Sequence, residues 1–130
     1  MLLVDTDIIG ELSRQRPDPG VLAWASEVMD FRFSVISLEE IAFGLAWRPD
    51  PRIQGWVAGF FSRHAALPVS PEIARRAGEL RGRLAAQGSP HTQADLLIAA
   101  TALVHGLTLV TRNSRDFDGC GLPLLNPFSL

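Results

Sequence analysis

The sequence of 130 residues has no lysine, a single cysteine and no long apolar run. Cys120 cannot form an internal disulfide and has no second cysteine with which to build a metal site, as expected in a reducing compartment. The longest apolar stretches are interrupted well before the roughly 20 residues that span a bilayer, and Met1 to Val4 meet Asp5 too early for a signal peptide. We therefore expect a cytoplasmic protein with no membrane partner.

The missing lysine argues against several classes of phosphate-handling protein. A haloacid-dehalogenase-type phosphatase would use Asp5-Thr6-Asp7 as its nucleophile and acid, but its usual catalytic lysine has no counterpart here. Receiver domains also use a lysine, and a P-loop requires Gly-Lys. The twelve basic residues, all arginine, face 14 acidic residues, so the formal charge is −2. Because no overall positive field attracts a polyanion, such a ligand needs a local binding surface.

The length and the hydrophobic pattern predict one ordered domain, residues 1–130, because a chain of this size forms one core and is too short for a second. Strands are predicted at residues 2–4, 31–37, 67–70, 107–111 and 123–125. Helices are predicted at residues 8–12, 21–25, 38–48, 51–60, 73–84 and 92–104. This alternation predicts an α/β fold, a three-layer α/β/α sandwich with a central, mainly parallel sheet of four to five strands.

Acidic and amide side chains follow the predicted strands at their carboxyl ends, where open parallel sheets form their sites. One follows the first strand, two follow the second, two follow the strand before the chain's end, and one opens the apolar helix. These residues are Asp5, Glu39, Glu40, Asn113, Asp116 and Asp95. Carboxylates from distant segments are therefore expected to meet at one edge of the sheet.

Each of these acids also has a simpler interpretation as a helix cap or turn residue. The capping-box motifs are Ser37-x-x-Glu40 and Thr92-x-x-Asp95. Asp5 or Asp7 would cap the first helix, and residues 113–116 would form an Asx-type turn. Capping explains Asp95 less well, because its helix is apolar nearly all round and would bury an unpaired carboxylate.

A shared metal ion gives the acids a common role. Carboxylates held close together repel one another, and their pKa values rise unless a cation shares the site. Oxygen ligands select a hard ion, so Mg²⁺ is predicted, with Mn²⁺ as the alternative. Zinc is disfavoured because His64, His91 and His105 lie far apart and show no ligand spacing.

Four motifs and the end of the chain occur together in an order that one known family shares. They are Leu2-Leu-Val-Asp5-Thr-Asp-Ile, Ser34-Val-Ile-Ser-Leu-Glu-Glu40-Ile, Ala94-Asp95-Leu-Leu-Ile-Ala-Ala-Thr-Ala, Leu109-Val-Thr-Arg-Asn113-Ser-Arg-Asp116-Phe and Leu124-Leu-Asn-Pro-Phe. Together they resemble PIN domains of the VapC type over nearly the whole chain. The resemblance implies a PIN-like fold for the single domain.

The resemblance also implies a set of site residues. The acidic quartet, which would be both catalytic and metal-binding, is Asp5, Glu40, Asp95 and Asp116. Its supporting residues are Thr6, Thr111 and Asn113. Helical angles alone do not separate Glu40 from Glu39, and Glu40 is chosen because it precedes Ile41 in the family's Glu-Ile-x-x-Gly pattern. Asp7 stands where the family more often has Asn or Ser, and its role stays open. Arg112 and Arg115 would either bind phosphate or form part of a solvated loop.

By this resemblance the protein is a Mg²⁺-dependent endoribonuclease that cuts RNA, serves as the toxin of a type II toxin–antitoxin pair, binds an antitoxin and forms a homodimer. The alternatives are a PIN nuclease for RNA processing that is not a toxin, the phosphatase above, and a catalytically silent binding module. An intact acidic set argues against the last. The aromatic side chains after the first two strands are either ordinary core or a surface that the antitoxin covers. They are Trp24, Phe43, Trp47, Trp56, Phe60 and Phe61.

Overall fold

The computed structural model describes residues 1–28 and 30–129, and within these ranges it contains five strands, six α-helices and one 3₁₀ helix. The strands are β1 (Leu2–Val4), β2 (Arg32–Ser34), β3 (Ala66–Leu67), β4 (Thr108–Val110) and β5 (Leu124–Leu125). The α-helices are α1 (Thr6–Leu12), α2 (Pro19–Glu27), α3 (Val35–Trp47), α4 (Pro51–Arg63), α5 (Pro71–Ala86) and α6 (Gln93–His105), and the 3₁₀ helix is Ser114–Phe117.

The strands form one parallel sheet in the order β3-β2-β1-β4-β5, which places β1 at its centre. Side chains alternate between the two faces of each strand. Leu3 and Leu109 therefore pack with α5 and α6, whereas Val4 and Val110 pack with α1 and α4. The predicted three-layer α/β/α sandwich with a parallel sheet is confirmed.

Every predicted strand except the first extends beyond the observed one, by one to three residues at an end. In the second and third strands, the predicted range includes a serine that instead caps the next helix. β2 ends at Ser34, whose Oγ accepts a hydrogen bond from the Ile36 backbone N–H at 3.0 Å. Ser37 consequently lies buried inside α3, and the capping box proposed for Ser37 and Glu40 is wrong. β3 likewise stops before Ser70, which caps α5.

The apolar helix α6 lies against the sheet with its first turn at the carboxyl edge. Thr92 caps it by accepting the Asp95 backbone N–H at 3.1 Å, and Gly106 ends it with a φ of 65°, a conformation that favours glycine. Most of its apolar side chains are fully buried. Of the helices in the described ranges, none has both the length and the apolar character that crossing a membrane requires.

Candidate active site

Asp5 lies at the carboxyl end of the central strand and is 7% exposed. Its Oδ1 accepts a hydrogen bond from the Thr6 backbone N–H at 2.8 Å and caps α1. Its Oδ2 accepts the Thr111 hydroxyl, just beyond β4, at 2.9 Å. One buried carboxylate therefore links the ends of two neighbouring strands.

Glu40 reaches the same edge from α3. Its Oε1 accepts a hydrogen bond from the Thr6 hydroxyl at 2.7 Å, and that hydroxyl also lies 2.8 Å from the Ser37 Oγ. The neighbouring Glu39 is exposed. Of the two consecutive glutamates, Glu40 is thus the one bonded to the residue beside Asp5.

Asp95 and Asp116 complete the group of acids predicted from the sequence. Asp95 lies in the first turn of α6, and Asp116 lies in the 3₁₀ helix, with its backbone N–H bonded to the Asn113 carbonyl at 3.0 Å. Burial raises the pKa of Asp95, and the negative charges of Asp116 and Glu40 raise it further. Asp95 therefore lies close enough to Asp116 and to Glu40 for each of them to repel it.

The same repulsion reaches Asp5. Burial raises the pKa of Asp5 from its ordinary value to about 7, with further increases from the charges of Asp7 and, more weakly, Asp95. The hydroxyl of Thr111 opposes this shift by bonding to the carboxylate. The structure thus gathers all four acids of the predicted quartet at one edge, in a setting that disfavours their combined negative charge.

Asp7 has a structural role that the sequence left open. Its Oδ2 accepts hydrogen bonds from the Arg112 backbone N–H and from the Asn113 side-chain amide, each at 3.1 Å, and lies 3.4 Å from the Thr111 hydroxyl. Its Oδ1 is buried and has no hydrogen-bond partner among the described residues, and burial raises the pKa of Asp7. In the sequence, the only sign of this role is that Asp7 stands where PIN domains of the VapC type more often have Asn or Ser. The carboxylate of an aspartate can accept several such hydrogen bonds at once.

The chemistry of this donor set fits a divalent cation. Within residues 1–28 and 30–129, two ion pairs occur, Arg14–Glu11 and Arg75–Glu79. Neither includes an acid of the quartet, so no ion pair in this part of the chain neutralises the four carboxylates. In the same part of the chain, no three Asp, Glu, His or Cys side chains are grouped closely enough to enclose an ion. Mg²⁺ commonly takes only one or two carboxylates and fills its shell with water and phosphate oxygens. The residues present therefore fit such an ion without a closed cage.

The two arginines singled out from the sequence border a cavity beside the acids. Arg112 and Arg115 line a space of about 400 Å³ together with Asp116 and Asn126. Both arginines are exposed. Burial raises the pKa of Asp7, and the backbone hydrogen bond from Arg112 opposes this rise, with a weaker effect in the same direction from the charge of the Arg112 guanidinium.

A second concave surface is apolar and lies between α1, α3 and α4. Its volume is about 370 Å³, and its lining includes Ile9, Ile41, Leu45, Ile53 and Val57. The aromatic side chains after β1 and β2 divide into two groups. Phe60 is buried, and Trp24, Trp56 and Phe61 pack partly buried against the core cluster to which it belongs, whereas Phe43 and Trp47 of α3 are 62% and 66% exposed.

The fold and site define a class: α/β/α proteins whose parallel sheet carries a cluster of carboxylates at its carboxyl edge. Within that class, the pattern of the PIN domain matches residues 2–119, and this chain belongs to the PIN-domain family. Nucleases of this family generally use divalent metal ions. The match confirms the predicted family and leaves the haloacid-dehalogenase alternative wrong.

Individual relatives agree along the whole chain. The VapC ribonuclease Y4jK of Sinorhizobium fredii is 33% identical to this chain over 98% of both sequences. The crystal structure of FitAcB from Neisseria gonorrhoeae superposes with a TM-score of 0.85 at 28% identity and covers 100% of both chains. A toxin–antitoxin complex from Klebsiella pneumoniae superposes with a TM-score of 0.78 at 25% identity, again over 100% of both chains.

Proposed function

We propose that this protein is a Mg²⁺-dependent endoribonuclease that hydrolyses RNA phosphodiester bonds as the toxin of a type II toxin–antitoxin pair, with Mn²⁺ as the alternative ion. The observation that carries the nuclease assignment is the convergence of four acids from β1, α3, α6 and the 3₁₀ helix at one edge. Their mutual repulsion is the electrostatic condition that a bound cation relieves. The relationship to a VapC ribonuclease supports RNA as the substrate.

The proposed metal ligands and catalytic groups are Asp5, Glu40, Asp95 and Asp116. When bound, a divalent cation supplies a Lewis acid that favours attack of water on phosphorus and offsets charge on the leaving oxygen. The protein then needs no nucleophile of its own, and its task is to hold the acids and the phosphodiester in position.

Three further side chains position the acids. Thr6 fixes Glu40 by donating its hydroxyl hydrogen bond, and Thr111 does the same for Asp5. Asp7 holds the segment after β4 through the Arg112 backbone N–H and the Asn113 amide. These contacts form before substrate binds, so less ordering is required in the transition state. Arg112 and Arg115 are proposed to bind substrate phosphate beside Asp116.

The toxin role is favoured over RNA processing by a specific surface. Phe43 and Trp47 are exposed on α3, and other residues of the same helix, Ile41 and Leu45, line the apolar groove between α1, α3 and α4. Large exposed aromatic side chains are typical of protein interfaces. We propose that an apolar segment of an antitoxin covers this surface and that the protein is a homodimer. The Klebsiella pneumoniae structure, a toxin–antitoxin complex, supports such a partner.

The test is cleavage of labelled cellular RNA by the purified protein in Mg²⁺ or in EDTA. We expect cleavage in Mg²⁺ that is lost in EDTA and in the Asp5→Asn and Asp95→Asn variants. The matched control is Glu27→Gln, which removes one negative charge from the exposed end of α2. A folded, partner-free protein that cuts no RNA, or acid variants that cut as well as the control, would replace this proposal with a binding module.

A further inference from the structure

Exposed arginines continue outward from the acidic edge along one surface. The cavity beside Asp116 is lined by Arg115 and Arg112. A second cavity of about 370 Å³ shares Arg112 and is lined further out by Arg14 and Arg16, with Phe128 at its side. The surface formed by Arg115, Arg112, Arg14 and Arg16 is called the arginine strip below. It contains four of the twelve basic residues of the chain.

Arg112, where the two cavities meet, is held in place at both its backbone and its side chain. Its backbone N–H donates to Asp7 Oδ2 at 3.1 Å, and its carbonyl accepts the Asn126 amide at 3.5 Å. Its guanidinium carbon lies 4.6 Å from the ring centroid of Phe128, a distance at which a cation is attracted to an aromatic face. A ligand that binds Arg112 therefore pays little to immobilise it.

Two acids also line the outer cavity, but internal hydrogen bonds already occupy them. Glu11 is 7% exposed and accepts the Asp18 backbone N–H at 2.8 Å. Asp18 caps α2 and accepts both the backbone N–H and the hydroxyl of Ser129. Arg14 pairs with the buried Glu11 at 3.2 Å, but its own side chain is 65% exposed, so its guanidinium remains accessible to a phosphate from the solvent side.

We propose that the arginine strip binds the phosphates of the RNA strand outside the scissile bond, and so extends the substrate site from Asp116 to Arg14 and Arg16. The inference rests on the proposed nuclease function. The chain carries a net charge of −2, and its acidic edge repels phosphodiesters, so RNA affinity must come from a local cationic surface. The strip is the cationic surface continuous with the acids, and guanidinium groups bind phosphate in a bidentate manner.

The test compares two double variants on a single-stranded RNA of about ten nucleotides. Arg14→Ala with Arg16→Ala removes the outer half of the strip. Arg76→Ala with Arg83→Ala removes the same charge from exposed positions on α5 that line neither cavity. We expect KM to rise about tenfold for the strip variant, with kcat within about twofold of wild type. Two lost phosphate contacts also reduce the slope of log KM against log salt concentration by about 1.4. The α5 variant is expected to match wild type.

A dinucleotide substrate, whose single phosphodiester is the scissile one and which has no further phosphate for the outer half of the strip, is expected to be cut equally by wild type and strip variant. Wild type that cuts the longer RNA while the strip variant keeps the same KM and salt slope would overturn the inference and leave the nuclease function standing. An unchanged KM together with weaker retention of a co-purified antitoxin would assign the strip to the protein partner and overturn it as well. Wild type that cuts no RNA would remove the proposed function and this inference with it.

Discussion

The acidic edge of the sheet and the exposed aromatic surface of α3, called the α3 surface below, differ in which of their chemical groups have partners within the protein. At the edge, Asp5, Asp7 and Glu40 accept hydrogen bonds from neighbouring segments, but their negative charges are left in repulsion. On α3, Phe43 and Trp47 contact each other, with ring centroids 5.9 Å apart, and otherwise expose most of their surface.

The two regions therefore need complements of different chemistry. Uncompensated carboxylates are stabilised by a cation, whereas exposed aromatic surface is stabilised by covering it with another apolar surface. In the proposed function, the first complement is the cation that supports hydrolysis and the second is the antitoxin that covers α3. Because different residues form the acidic edge and the α3 surface, a substitution in one region is expected to leave the other region's binding unchanged.

The largest expected effect comes from two adjacent glutamates. Glu40→Gln is expected to lower cleavage of RNA about a thousandfold, because Glu40 is one of the proposed metal ligands and its charge would be lost from the site. Glu39→Gln is the matched control, since Glu39 lies one residue away and is exposed. Initial rates at saturating Mg²⁺ measure both.

Equal losses in both variants would mean that the acidic residues act through overall charge rather than through a positioned group. Thermal unfolding of the two variants serves as the check on folding. An intact melting temperature for Glu40→Gln, together with lost cleavage, places the effect in the chemistry.

The α3 surface is expected to respond to the opposite test. Trp47→Asp should weaken antitoxin binding about thirtyfold, since a central aromatic side chain at an interface contributes about 2 kcal/mol or more. Cleavage of RNA by the free protein should stay unchanged. Titration calorimetry or surface binding with a purified antitoxin measures the first effect.

Leu22→Asp on α2 is the control, because Leu22 is also a large exposed apolar residue, with 47% of its surface accessible, but lies on another helix. An equal loss of affinity in both variants would show that the partner covers more than the α3 surface. An unchanged affinity in Trp47→Asp would remove α3 from the interface.

Most of the fold was predictable from the sequence, because strand and helix periods differ and the strands end in recognisable polar residues. The largest errors in the strands are the residues predicted as strand after Ser34 and up to Ser70. Each serine continues an extended pattern, so it reads as strand, yet its hydroxyl caps the following helix. Capping depends on which backbone N–H the hydroxyl reaches, and alternation of apolar residues carries no information about that.

The sequence predicted which residues form the candidate site, but not the hydrogen bonds that link them. The motifs identify Asp5, Glu40, Asp95 and Asp116, but the structure adds the hydrogen bond from Thr6 to Glu40 across 34 positions of sequence. It also adds the bonds that Asp7 accepts from the segment after β4. Such long-range contacts depend on the packing of separate segments, which local spacing does not specify.

A smaller effect concerns the stability of the protein without metal. Burial and the neighbouring acids raise the pKa of Asp5 to about 7, above its ordinary value of 3.8. Asp5 therefore opposes folding increasingly as the pH rises from 3.8, and most strongly above 7. In EDTA at about pH 8, Asp5→Asn is expected to raise the melting temperature by about 5 °C, and the gain should shrink as the pH falls below 7.

Scanning calorimetry at about pH 8 and about pH 5 measures the difference between Asp5→Asn and wild type. Added Mg²⁺ should stabilise wild type at the higher pH and should leave the variant nearly unchanged. A variant less stable than wild type at every pH would show that the hydrogen bonds to Asp5 outweigh the repulsion.

The smallest expected effect concerns His64, the residue that follows α4 and packs on the aromatic core. His64 stacks on Phe31 with ring centroids 4.3 Å apart and lies 4.5 Å from the Phe60 ring. Burial lowers the pKa of His64 below its ordinary value of 6.5, so the folded protein favours the neutral ring.

Stability from neutral His64 is present above pH 6.5 and is lost as the pH falls through the lower pKa of the folded state, because the unfolded chain then binds the proton more readily. Wild type should therefore lose about 1 to 2 °C more in melting temperature than His64→Phe between about pH 8 and about pH 5. Asp5 and the other acids titrate in both proteins, so the difference isolates His64. If the melting temperatures of the two proteins fall in parallel with pH, protonation of His64 does not destabilise the fold.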